Sequence, residues 1–449
     1  MDAPLPLIGH PSELSVVAWR RNRPVSAGRF LAEVHLVASR LPPGRHVLNA
    51  CTDRYRFAVG LCAALLAGKV SVLPSTQTPD LIRWLLAFDP DAHCLTDDPA
   101  CSIDLPRLAY PEELRPPAVR WQVPHIEPTR TAAIVFTSGS TGSPVPHFKS
   151  WGRLVKCVQG EATRLGLSKK YPPAILGTVP PQHMYGFETT VLMPLQGGAA
   201  LCADKPFFPA DVAAALENLP QPRWLITTPV HLRALLHDGI RLPAVDLCVS
   251  ATAPLHDTLA RQSESTLGAR LIEIFGSTET GQIATRRPSV EVRWQLWPEV
   301  RLQLDGEQAF VQGGHVEGRI AVQDIVEPVD EQHFLLHGRS TDLVNIAGKR
   351  SSFGYLNHQL NSIEGVIDGA FFLQEGQTSS TGECRLGAIV VAPGLTTPTL
   401  LRELRQRIEA VFLPRPLLFT QCLPRNATGK LPQESLQALA CSLQARTAD

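Results

Sequence analysis

None of the ten cysteines forms a C-x-x-C pair, which argues for buried or free thiols in a reducing compartment and against metal ligation by them. Neither charge is in excess: 42 basic residues balance 42 acidic ones, so no nucleic-acid or anionic-membrane partner is expected. No apolar run reaches membrane-spanning length, and no membrane insertion is expected. The first residues, Met1-Asp2-Ala3-Pro4, lack a basic stretch followed by an apolar core, so no signal peptide is expected and a cytoplasmic location is. There is no internal repeat, no low-complexity tract, and no G-x-x-x-x-G-K-[ST] phosphate loop. Nor does any Cys/His or Ser/His arrangement suggest a covalent nucleophile.

What is present is ordinary globular chain in an amount that one domain does not hold. The 449 residues are 44% apolar and 19% charged, enough for large buried cores. Strands alternate with helices through about residue 125: His46–Ala50 reads as a strand, 56–67 as a buried helix closed by Gly68, and Val70–Leu73 as the next parallel strand. Residues 106–128 are rich in proline and without periodicity, and read as a surface connection. Strand signals follow at 132–136, 174–179, 225–227, 247–250 and 271–275, with helices at 151–165 and 232–237 and a turn at 180–186. From Val292 to Phe334 the pattern changes to strands and tight turns, with Asp305-Gly306 as a hairpin signal. Leu400, Leu401, Leu404, Ile408, Val411 and Phe412 fall at helical spacing and read as an ordinary core face. The expected fold class is α/β: a large N-terminal domain of α/β sheets with a β-rich subdomain, then a small α+β domain.

One stretch stands out, Phe136-Thr137-Ser138-Gly139-Ser140-Thr141-Gly142-Ser143-Pro144. Gly139 and Gly142 let backbone N–H groups crowd toward an anion, and the hydroxyls of Thr137, Ser138, Ser140 and Thr141 add uncharged donors. A Ser/Gly linker is the alternative, but the stretch leaves a buried strand directly and is closed by Pro144. It reads as a cradle for phosphate oxygens.

This stretch resembles the phosphate loop of the adenylate-forming superfamily of acyl-CoA synthetases, luciferases and peptide-synthetase adenylation domains, usually T-S-G-S-T-G-x-P-K-G. The lysine position holds Val145, and the nearest cation, Lys149, is expected to take its place as a phosphate contact. That displaced lysine, with Gln182-His183-Met184-Tyr185-Gly186, is similar to the short ligases of aryl-polyene and xanthomonadin pigment pathways. Phe275-Gly276-Ser277-Thr278-Glu279 resembles the family's [YF]-G-x-T-E, which implies Thr278 on the α-phosphate, Glu279 on Mg²⁺, and Phe275 and Gly276 near the adenine. The family's T-G-D stands here as Val322-Gln323-Asp324, and Arg339, 15 positions on, lies in Gly338-Arg339-Ser340-Thr341-Asp342. The resemblance implies that Asp324 accepts the ribose hydroxyls and that Arg339 donates to ribose and phosphate. It places a hinge at Thr341, where aspartate is usual, and a thiol tunnel at Gly348. Leu423-Pro424-Arg425-Asn426-Ala427-Thr428-Gly429-Lys430 matches L-P-[RK]-x-x-x-G-K, implying Lys430 as the lysine that bridges carboxylate and α-phosphate.

By the same resemblance His183, Tyr185, Gly186 and Ala251 line the acyl pocket, with His183 gating the carboxylate. The expected boundary lies at 340/341, dividing an ATP- and acid-binding domain, residues 1–340, from a mobile domain, 341–449, that carries the lysine. The implied activity is ATP-dependent activation of a small carboxylic acid, 4-hydroxybenzoate leading, to acyl-AMP. The acyl group then passes to the thiol of coenzyme A or of an acyl carrier protein's phosphopantetheine. A hydroxy or medium-chain fatty acid is the alternative substrate, and a non-catalytic nucleotide- or acyl-binding module the alternative class. Glu279 and Lys430 weigh against the module, since binding alone needs neither.

Overall fold

A computed structural model describes residues 3–74, 79–111, 120–138, 144–237, 239–306, 308–339, 343–346, 349–374, 385–426 and 429–448. Two large sheets form the N-terminal part. The first, six-stranded among the described residues, runs in the order 144–150, 131–138, 70–73, 46–49, 93–96, 107–109. Its inner strands are parallel and buried on both faces, whereas Pro144–Ser150 adds antiparallel at the edge. The second has a parallel centre of Ala174–Gly177, Arg223–Thr227, Leu247–Ser250 and Arg270–Ser277, then continues antiparallel through Gly281–Arg286, Trp294–Leu296, His333–Arg339 and Asp324–Pro328.

The helix Arg54–Leu66 packs between the sheets and is apolar on nearly every side, with Phe57, Leu61 and Leu65 fully buried. Asp53 caps it by accepting from the Arg56 N–H. The buried Arg54 guanidinium donates to the carbonyls of Gly177 (2.9 Å), Val179 (2.8 Å) and Asp204 (2.7 Å), which fastens this helix to the second sheet. A large apolar core joins the two layers, and separate cores lie under helix Pro229–His237 and beside the three-stranded sheet 301–322.

The smaller C-terminal domain has its own core of Leu356, Leu360, Phe371, Leu400, Leu404 and Phe412 under strands Asp368–Leu373, Leu386–Val391 and Leu417–Phe419. It touches the larger domain where the rings of His256 and His358 lie 3.8 Å apart and where Arg233 faces Asp368 at 3.8 Å.

Three segments differ from the sequence reading. The stretch 106–128 contributes strands at Arg107–Ala109 and His125–Ile126, because pairing with neighbours supplies what local periodicity lacks. The turn at 180–186 gives way at Met184 to a helix that continues through a π-helical segment, Glu188–Leu192. The helical spacing at 400–412 is split, with the helix ending at Arg405 and a 3₁₀ turn at Ala410–Phe412 keeping the same buried face.

Candidate active site

The strands flanking residues 139–143 pair antiparallel, with Thr137 opposite Val145. Opposed residues share a face, and faces repeat every second residue, so Val145, His147 and Lys149 form one row beside Thr137. Gly139, Ser140, Thr141 and Gly142, like Thr341 and Gly348, lie outside the described residues. Ser138 ends the first strand of this hairpin.

Thr278 and Glu279 sit in the turn between strands Arg270–Ser277 and Gly281–Arg286. Short polar side chains close this turn from within: the N–H of Ser277 donates to Thr280 Oγ1 (3.1 Å), and the N–H of Thr280 to Ser277 Oγ (3.2 Å). Gly276 is obligatory, since a Cβ there would stand 2.2 Å from the Gly281 carbonyl oxygen. Gly281 has φ +70°, the left-handed region. The turn leaves the Glu279 side chain 40% exposed. A carboxylate is an oxygen donor of the hard kind that Mg²⁺ takes together with substrate phosphates.

The hairpin and the turn are tied together. His147 Nε2 lies 2.9 Å from Thr137 Oγ1 and 3.6 Å from Glu279 Oε1. The Lys149 ammonium donates to the backbone carbonyl of Glu279 at 3.1 Å. Burial lowers the Lys149 pKa, and the nearby Glu188 carboxylate opposes that shift. Lys149, the expected stand-in for the loop lysine, thus braces the Glu279 backbone.

His183 caps the helix Met184–Phe187, its Nδ1 accepting from the Tyr185 N–H at 3.3 Å. Burial, and then the charge of Lys430, pull its pKa down to about 4, so the imidazole is neutral at neutral pH. Tyr185 is buried and donates its hydroxyl to the Val249 carbonyl (3.1 Å), two residues before the buried Ala251. Gly186 admits no side chain, since a Cβ would stand 2.1 Å from the Pro180 carbonyl oxygen. Lys430 arrives from the other domain on a loop closed by Asn426: the Lys430 N–H donates to Asn426 Oδ1 (2.9 Å) and the Asn426 N–H to the Lys430 carbonyl (2.8 Å). Gly429, with φ +78°, lies against Thr228 and Val230 of the larger domain.

Asp324 and Arg339 are direct partners across the antiparallel pair Asp324–Pro328 and His333–Arg339. The Phe275 ring packs at 5.4 Å from Trp294 and 5.7 Å from Phe334, so an aromatic cluster fixes the strand that leads into Gly276.

Residues 16–322 match the sequence profile of the AMP-binding enzyme family. The chain belongs to that family. Over 311 residues it is 31% identical to a 4-coumarate–CoA ligase of Halorhodospira halophila, which covers 67% of this chain and 75% of the relative. Among solved structures, the anthranilate CoA ligase AuaEII with anthranoyl-AMP superposes with a TM-score of 0.80 at 15% identity, covering 99% of each chain. The o-succinylbenzoate CoA synthetase MenE of Bacillus subtilis gives 0.79 at 17% identity over 95% of this chain and 96% of that one. At these identities the superpositions speak for the fold.

The sequence of this AMP-binding enzyme did not single out three features of its cleft. His147 was one of 14 histidines and lies on a strand, and its link to Glu279 is 132 positions away. Arg425 is the second: it grips Asp368 with two bonds (2.7 and 2.8 Å) and donates to the Gly429 carbonyl (3.0 Å), so it holds the loop that presents Lys430. The third is a buried polar group behind the turn. Cys157 donates to Glu188 Oε1 at 3.1 Å, and Gln282 Nε2 to Thr189 Oγ1 at 2.9 Å. Burial pushes Glu188 up to about 7 and Glu161 up to about 8. These carboxyls face one another from helix Trp151–Leu165 and the π segment, a meeting that no local pattern encodes.

Proposed function

We propose that this AMP-binding enzyme is an AMP-forming acid–thiol ligase, and the observation that carries the reading is the seating of the Gly429–Lys430 loop of the smaller domain against Thr228 and Val230 of the larger one. A lysine from the smaller domain lies near enough to a buried imidazole of the larger one for its charge to depress that imidazole's pKa. A cation carried to the junction of the two domains suits the joining of two anions.

In the first step a carboxylate oxygen attacks the α-phosphorus of ATP, a P–O bond to pyrophosphate breaks, and acyl-AMP forms. Lys430 bridges the attacking carboxylate and the α-phosphate, lowering their repulsion where charge develops. Thr278 donates its hydroxyl to the α-phosphate. The stretch from Thr137 to Gly142 cradles the outer phosphates, with Lys149 bracing the turn. Glu279 would hold Mg²⁺, which supplies charge neutralisation to the phosphates. Asp324 accepts from the ribose hydroxyls and Arg339 donates to ribose and phosphate. Neutral His183, with Tyr185, Gly186 and Ala251, lines the acyl pocket.

In the second step a thiol attacks the acyl carbon and AMP leaves. The boundary at 340/341 divides residues 1–340 from a mobile domain, 341–449, which turns about Thr341, withdraws Lys430 and brings Gly348 to the thiol path. The acid in our reading is an aryl acid such as 4-hydroxybenzoate, and the acceptor coenzyme A or a carrier-protein pantetheine. The aromatic acid in the name of the Halorhodospira relative supports the aryl class. The likeness of Gln182–Gly186 and Lys149 to pigment-pathway ligases supports the hydroxybenzoate.

Pyrophosphate release, measured with ATP and Mg²⁺ across a panel of aryl and fatty acids, tests the reading. Release that depends on a hydroxybenzoate supports it. Release greatest with medium-chain acids would replace the acid, and none with any acid would overturn the ligase.

A further inference from the structure

We infer that His147 is a positioning residue for nucleotide binding: its Nε2–H donates to Thr137 Oγ1 and so turns the threonine's own hydroxyl proton toward the phosphates. This rests on the ligase reading, for which Thr137 begins the phosphate cradle. Nε2 lies 2.9 Å from Thr137 Oγ1, and on the same side the Glu279 carboxylate stands 3.6 Å away. A bare nitrogen lone pair facing that carboxylate would be repelled, whereas an N–H is attracted by it. Nε2 therefore carries the proton, whether the ring is neutral or charged.

An N–H at hydrogen-bond distance from Oγ1 uses one of the oxygen's two lone-pair sites. The hydroxyl hydrogen cannot then point back at the ring, and it is left free to donate elsewhere. The Glu279 carboxylate, 3.6 Å from the same Nε2, is a competing acceptor for that hydrogen, and a threonine donating there is lost to phosphate. The imidazole thus keeps Thr137 as a phosphate donor and holds the Glu279 side chain beside the cradle.

The hairpin register supplies the reason that a histidine stands here. Val145 is opposite Thr137, and His147 is the next residue along the same face. Val145, opposite Thr137, is 43% exposed and its side chain offers no donor. His147 reaches diagonally back to Thr137, and Lys149, one further step down the row, reaches the Glu279 carbonyl. Two side chains on one strand thereby order both halves of the cleft, the hydroxyl of the hairpin and the backbone of the turn.

Two variants separate positioning from mere packing. His147→Leu keeps much of the bulk and removes the N–H, whereas His147→Gln offers an N–H at similar reach. Calorimetric binding of ATP, without acid, and the KM for ATP in pyrophosphate release are measured for each, and again in a Thr137→Val background. His147→Leu is expected to weaken ATP binding about tenfold, the scale of one lost hydrogen bond beside charge. Thioester formation from supplied acyl-AMP should keep its rate, and His147→Gln should recover ATP affinity to within about threefold. In the Thr137→Val background His147→Leu should add little, since the hydroxyl it orients is already gone. Wild-type affinity in His147→Leu, an equal loss in both half-reactions, or full additivity with Thr137→Val would overturn the inference while the wild type still released pyrophosphate. A wild-type chain that bound no ATP would overturn the ligase reading and this inference together.

Discussion

Glu279 combines two circumstances: its backbone is fixed by the turn, and its carboxylate is part-exposed beside His147. The carbonyl accepts from Lys149 and the turn is cross-linked by Ser277 and Thr280, while the side chain remains 40% exposed beside His147. Glu279→Gln keeps the shape and the bonds of the turn and removes the charge that would attract Mg²⁺. It should fold as the wild type does, need several-fold more Mg²⁺ and release pyrophosphate more slowly, by roughly 10²-fold at limiting metal, the scale of one lost electrostatic contact at a reacting phosphate. A Mg²⁺ titration of the rate checks this; wild-type rates at limiting Mg²⁺ would remove Glu279 from the metal site. The sequence reading picks out Glu279 and Lys430 because each stands in a run of residues that resembles a family motif. His147 was not, since a single histidine on a strand carries no pattern and its partners come from a hairpin register and a distant turn.

Strands and helices were legible for the same reason that single contacts were not. The helix Trp151–Leu165 has an amphipathic period and a left-handed glycine, Gly166, at its end, both local signals. The strands at 107–109 and 125–126 exist through their partners, and no local reading finds them. At 184–197 His183, Gly186 and the π segment build a helix of uneven winding, which a turn-like composition conceals. The loop 423–430 shows how an element borrows its order from elsewhere: Arg425 reaches back to Asp368 and forward to Gly429. Arg425→Gln should lower stability by about 1.5–3 kcal/mol, the range for hydrogen bonds to charged groups. Adenylation should slow at the same time, because Lys430 loses its mount. Urea midpoints with single-turnover rates check both, and unchanged stability and rate would free the loop from Arg425.

Between the two domains, docking has a pH dependence written into its contacts. His256 is buried against His358, with Arg233, Arg286 and Asp257 the other charged groups facing the pair. Burial first, then the charges of His358 and Arg233, pull His256 down to about 3 in this arrangement, and His358 is lowered as well. Separated domains would return both imidazoles toward the ordinary histidine value near 6.5. Docking is then fully favoured above that value and is weakened as pH falls from about 6.5 toward 3, because protonation favours the separated state. Adenylation should therefore fall between pH 7.5 and pH 5.5, and His358→Gln should flatten that fall. The same fall in His358→Gln as in the wild type would contradict this.

The central claim is that the docked arrangement, with Lys430 beside His183, is the one that makes acyl-AMP. Its most direct test is the pair of half-reactions in Lys430→Ala, run with whichever acid gives the fastest pyrophosphate release. The account predicts adenylation slowed by roughly 10²–10³-fold, the loss expected for one oriented transition-state donor, with thioester formation from supplied acyl-AMP near the wild-type rate. An equal fall in both half-reactions, or none in adenylation, would contradict it.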